Sequence, residues 1–125
     1  MAEAGAARVV VCRIGSERFA LPVASVRAVV ALPPVARIPG APTAVSGLVN
    51  VRGTLVTTVS GARLLSRSVG TAAPEWLVVL AMLGGRVGLE VDEVEDLQTT
   101  GTAGAVPTLD LEILIGPLFG QPSGT

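Results

Sequence analysis

The chain predicts an all-β domain, a small barrel or sandwich carrying one or two short helices. Three observations lead there. Half of the 125 residues are hydrophobic, yet the only aromatic residues are Phe19, Trp76 and Phe119. The core must therefore be built from Val, Leu, Ile and Ala, and the branched Cβ of valine favours extended backbone. The apolar runs are short, and the glycines and prolines fall between them rather than inside them. This length suits one domain with a core large enough to stand alone. Residues 8–116 are expected to form it, between disordered tails at 1–7 and 117–125.

The elements follow in order. Arg8 to Ile14 reads as a first strand, with Gly15-Ser16-Glu17-Arg18 turning into a second at Phe19 to Leu21. Pro22 suits a helix start, and Val23, Val26, Val29 and Val30 recur at helical spacing. A short helix with a core-facing stripe is predicted there, ended by Pro33-Pro34. A proline-rich connector spans 35–46. Leu48 to Val51 and Leu55 to Thr58 read as strands around Arg52-Gly53, with Val49, Val51, Leu55 and Val59 suited to a buried face. Glycine permits positive φ, so the turn can be sharp and hold the arginine on its rim. A helical turn near Ala62 to Leu65 and a polar loop at 66–74 come next. Trp76 to Leu83 and Arg86 to Val91 read as a hairpin across Gly84-Gly85. Trp76 itself reads as an interface anchor or as core. Val94 to Leu97 extends the sheet, and Leu109 to Ile115 closes the domain as helix or strand.

What is missing narrows the function. The chain has no histidine, lysine or tyrosine, and its nine cationic side chains are all arginine. Without histidine there is no phosphohistidine relay, serine–histidine triad or imidazole metal ligand. Without lysine there is no P-loop clamp and no Schiff-base nucleophile. One cysteine, Cys12, makes neither a structural zinc site nor an internal disulfide, and fits a reducing cytoplasm. Among alternating valines it reads as a small buried hydrophobe. Net charge is −1 without a basic stripe or aromatic platform, so nucleic acid is not an expected partner. The longest apolar run, Trp76 to Leu83, is too short to span a bilayer, and Arg8 and Arg13 spoil the N-terminal stretch as a signal peptide.

The acids Glu90, Asp92, Glu93, Glu95 and Asp96 form the one notable polar group. They could make an acid–base pair or a divalent-cation site. Their alternation with Leu89, Val91, Val94 and Leu97 fits better the solvated face of a strand, an acidic rim that helps orient a partner. No catalytic, metal or cofactor site is expected.

Five ordered segments carry a family resemblance. Phe19-Ala20-Leu21-Pro22-Val23 through Val29 is similar to "[YF]-A-[IL]-P-[LV]-x-x-V-x-x-[VI]". Val35-Ala36-Arg37-Ile38-Pro39-Gly40-Ala41-Pro42 looks like a two-proline connector. Gly47-Leu48-Val49-Asn50-Val51-Arg52-Gly53 resembles "G-[VI]-x-N-x-R-G". Arg86 to Leu97 resembles "VG-[LF]-x-VD-x-V-x-[DE]", and Leu109-Asp110-Leu111 to Leu114 resembles "LD-[LV]-x-x-L". Together they resemble the CheW-like family, the coupling domain of bacterial chemotaxis. The resemblance implies a pair of small SH3-like five-stranded β-barrels side by side. It also implies a cytoplasmic, non-enzymatic adaptor binding the cytoplasmic tip of a methyl-accepting chemoreceptor and the regulatory domain of the histidine kinase CheA. Two departures stand out. Gln98 to Thr108 replaces a longer segment with a strand pair, so the second barrel should be incomplete. Thr57-Thr58-Val59-Ser60-Gly61 stands where the family often has "PVIDL".

By this resemblance the partner-binding residues are Arg37, Ile38, Val45, Gly47, Val49, Asn50, Arg52 and Val87. Arg52 reads as an exposed contact or as a cap on backbone carbonyls of its own turn. Arg37, Ile38, Val45 and Val49 line an apolar groove for a receptor helix or close the core. Two other readings stay open: a reduced module of another receptor–kinase pathway binding a single partner, and a small barrel enzyme or ligand carrier. A polar pocket joining Arg52, Arg86 and the acidic segment would favour the last.

Overall fold

The computed structural model describes residues 8–65, 73–99 and 106–119. Its strands are β1 (Arg8–Ile14), β2 (Glu17–Pro22), β3 (Val26–Ala31), β4 (Val45–Val51), β5 (Thr54–Ser60), β6 (Trp76–Leu80), β7 (Val87–Val91) and β8 (Glu93–Thr99). Two short helices, α1 (Gly61–Leu64) and α2 (Leu111–Ile115), begin on side-chain caps. Ser60 Oγ accepts from the Arg63 N–H at 3.3 Å, and Asp110 Oδ1 from the Ile113 N–H at 3.3 Å.

The strands make two sheets, ordered β2-β1-β8 and β3-β6-β7-β5-β4. All pairings are antiparallel except β5 with β7. Among the described residues neither sheet closes into a barrel, as expected of incomplete barrels. Segment 106–109 runs along the outer edge of β2, where the Ala20 N–H donates to Pro107 O at 2.8 Å and the Leu109 N–H to Ala20 O at 2.9 Å. The connector likewise covers β4, through reciprocal 2.8 Å bonds between Ala36 and Leu48. Covered edges are poor templates for stray strands.

Side-chain alternation divides the core. Cys12, Ile14, Phe19, Leu21, Val59, Val78, Leu80, Val87, Leu89 and Val91 face one another between the sheets, joined by Leu109, Leu111 and Ile115 of the closing segment. Leu77 and Val79 point the other way, into a second cluster with Val49 and Val56. A third cluster lies behind β1 and β2, at Val9, Val11 and Ala20. β6 is thus covered on both faces, which is why it reads as a continuous apolar run. The chain crosses between sheets at Asp92. Its N–H donates to Arg13 O at 2.9 Å, and its Oδ2 accepts from the Gly15 N–H at 2.5 Å.

Three expectations need correction. The helix predicted after Pro22 is a single 3-10 turn, Val23–Ser25, followed by strand β3. Val26, Ala28 and Val30 alternate inward while Val29 faces outward, and pairing with β6 decides for the strand over the helical spacing. The hairpin at Gly84-Gly85 is wider than a two-residue turn. β6 ends at Leu80, and Leu83, Gly84 and Gly85 follow one another at positive φ (53°, 69° and 77°). Leu55, assigned to the buried face, is 60% exposed. At the C-terminal side, the 3-10 turn Gly116–Phe119 continues α2 past position 116, with Leu118 and Phe119 packed on the main core. The expected tail at 1–7, most of the loop at 66–74, and residues 120–125 lie outside the described residues.

Candidate functional site

The β4–β5 hairpin builds the most distinctive surface. Val51 pairs with Thr54, leaving Arg52-Gly53 as a two-residue loop with φ of 50° and 88°. Positive φ at both central residues is the geometry whose twist matches a strand pair. Asn50 fixes the turn, since its Oδ1 accepts from the Gly53 N–H at 2.7 Å. Arg52 therefore does not act as the cap; it stands exposed at the tip, and no hydrogen bond or ion pair holds it among the described residues. A left-handed arginine is costlier than a glycine there, and such strain collects at functional positions. Leu55 lies opposite Asn50 and adds apolar surface beside the turn.

A second surface lies on the connector side. Arg37, Ile38 and Val45 line one groove of about 480 Å³, together with Val35, Pro42 and Arg63. Arg37 is exposed, while Ile38 and Val45 are half-buried. Glu90 also lines this groove although only 6% exposed, and its Oε1 accepts from Ser46 Oγ at 2.9 Å.

The other predicted contacts are structural. Val49 and Val87 are 2% and 1% exposed, so no partner reaches them. Gly47 is buried because a Cβ there would run into the Ala36 carbonyl and lie 2.8 Å from Val35 Cγ1. It is the position that lets the connector lie against β4.

The acidic segment is largely engaged within the fold. Glu93 pairs with Arg13 at 3.2 Å, and Glu95 takes Arg18 in a two-point grip at 2.6 and 3.0 Å that reaches across β1. With Asp92 stitched to Gly15, these carboxylates are partnered within the fold, the Arg13–Glu93 and Arg18–Glu95 pairs lying on its surface. The side chain of Asp96 lies outside the described residues. No group of three or more Cys, Asp or Glu that could hold a metal ion occurs among the described residues. Cys12 is sealed between the sheets; burial first, and the charge of Glu95 second, push its thiol up to about 12. It is packing, not a nucleophile.

Sequence reasoning misplaced two residues, putting Leu55 on the buried face and Glu90 on a solvated strand face instead of in the groove. Leu55 was legible: a two-residue turn sets Leu55 opposite Asn50 and so on the outward face. Glu90 was not, because strand alternation separates two faces of a sheet without telling a groove from open solvent.

Comparison with known proteins decides the family. The CheW-like domain model matches residues 8–113. The chain belongs to the CheW-like domain family. It is 28% identical over 108 residues to the chemotaxis protein CheW of Rhizobium meliloti (strain 1021), covering 86% of this chain and 70% of that one. The crystal structure of the scaffolding protein TtCheW from Thermoanaerobacter tengcongensis superposes with a TM-score of 0.68 at 23% identity. That match covers 75% of this chain and 65% of TtCheW, so this chain spans less than two thirds of that structure. Among the described residues no helix is long and apolar enough to cross a membrane.

Proposed function

We propose that this chain is a non-enzymatic, cytoplasmic adaptor that couples methyl-accepting chemoreceptors to the histidine kinase CheA. Arg52 is the observation that carries this reading: it is exposed, held at φ 50° and unpaired, with the exposed Leu55 alongside. An arginine beside an apolar residue is a common anchor of protein interfaces. Family membership supports the coupling role. The groove at Arg37, Ile38 and Val45 is a second surface on the same rigid body, and two contacts on one body allow a receptor to bias a kinase without chemistry in the adaptor. Such contacts gain strength from multivalency in an array.

The test is a pull-down with a receptor cytoplasmic fragment and the CheA regulatory domain. Arg52→Ala and Ile38→Asp are compared with wild type, each checked for an unchanged unfolding midpoint. Binding of both partners, with each variant weakening at least one about tenfold, is expected. Binding of neither by the wild type overturns the reading. The open three-stranded sheet favours one alternative, a reduced module with a single partner. Capture of only one fragment, with the other unbound at any concentration tested, would establish it.

A further inference from the structure

Arg27 on β3, Arg52 at the β4–β5 turn and Arg86 before β7 line one groove of about 490 Å³. They come from three separate places in the chain and are all exposed. The floor is Ala28, Val30, Val51, Val56 and Val79, the open end of the second apolar cluster. Exposed Val29 stands at the rim. No carboxylate lines this groove, and the two ion pairs among the described residues engage other arginines. Arg27 Nη1 donates to Gly84 O at 3.1 Å, and its guanidinium packs over Gly85, where a Cβ would collide with it. Its head is thus held toward the mouth of the groove by a turn without side chains.

Three guanidinium groups around an apolar floor concentrate positive potential that no lining carboxylate offsets. The floor is aliphatic, with Thr54 the one hydroxyl in the lining, so a bare inorganic anion would leave it uncovered. A ligand that satisfies both parts carries carboxylates next to an apolar side chain. Arginine suits this because its planar fork grips carboxylates at two points, and arginine clusters read acidic motifs.

We propose that this groove docks an acidic, amphipathic segment of a partner protein, its apolar residue on the valine floor and its carboxylates on Arg27, Arg52 and Arg86. The inference deepens the adaptor reading of Arg52 by naming the chemistry of the partner, while Arg27 and Arg86 are additional to it.

The experiment titrates the full chain into a labelled synthetic peptide of alternating leucine and glutamate, and into its glutamine counterpart. The glutamate peptide is expected to bind, and to weaken about tenfold as NaCl rises from about 50 to about 300 mM. The Arg27→Gln/Arg86→Gln variant, with an unchanged unfolding midpoint, is expected to bind about tenfold more weakly. Absence of binding, equal binding of the glutamine peptide, or full binding by the double variant overturns the inference. The pull-down is a separate readout. Loss of both natural partners with peptide binding intact sinks the adaptor reading alone, whereas indifference of the peptide to the arginines sinks this inference alone.

Discussion

Arg52 and Gly47 lie five positions apart and do opposite jobs. Arg52 pays for its place in strain and has no hydrogen bond or ion pair among the described residues, so Arg52→Ala should leave stability within about 0.5 kcal/mol of wild type while partner capture falls. Gly47 contacts everything around it. Gly47→Ala should cost about 2–4 kcal/mol in urea unfolding, because the connector must lift off β4 to make room. Val49→Asp places a charge at a position 2% exposed and should unfold the domain, a loss of more than about 4 kcal/mol visible by circular dichroism. It would therefore say nothing about binding. These three residues belong to one motif and read alike as a string of letters. What separates them is burial and the approach of Ala36 from a distant connector, and neither is local.

At the scale of elements, Asp92 joins the sheets. Its carboxylate holds the β1–β2 turn and its backbone holds β1, so Asp92→Ala should destabilise by about 1–3 kcal/mol. Hydrogen exchange should quicken first at Gly15 and Asp92, with the five-stranded sheet still protected. Most strands were legible because short apolar runs and the turn residues between them point the same way at β1, β2, β4 and β5. β3 was misread because Val26 and Val30 fit either period, with Ala28 completing the alternation, and only β6, nearly fifty residues later, chooses between them. The acidic run showed its alternation but not its partners, since Arg13 and Arg18 come from the far end of the sequence. The grooves were half visible. Arg37, Ile38 and Val45 do meet, and Arg52 does share a groove with Arg86, but the acids expected beside that pair lie elsewhere.

For the whole molecule, the absence of lysine and tyrosine gives a clean alkaline window. Cys12 is the side chain that titrates between pH 9.0 and about 12, arginine staying charged throughout. The unfolded chain releases the thiol proton above about 9, and the folded chain keeps it toward 12. Stability should therefore be flat up to about pH 9 and then fall by about 1.4 kcal/mol per pH unit. Cys12→Ala should remove the slope, and a thiol reagent should label wild type only on unfolding. The three-stranded sheet carries a different consequence, one of timing. β1 finds β2 at once, but its other partner is β8, and the Arg13–Glu93 pair closes over 80 residues of chain. A two-stranded ribbon is marginal in water, and distant closure is slow. On the ribosome, β1 and β2 must emerge and wait with both edges bare, the β1 edge until β8 and the β2 edge until segment 106–109, while the whole five-stranded sheet is made. The domain completes itself only when its late strand returns to its first, so its exposure to aggregation is set by the pace of synthesis more than by final stability.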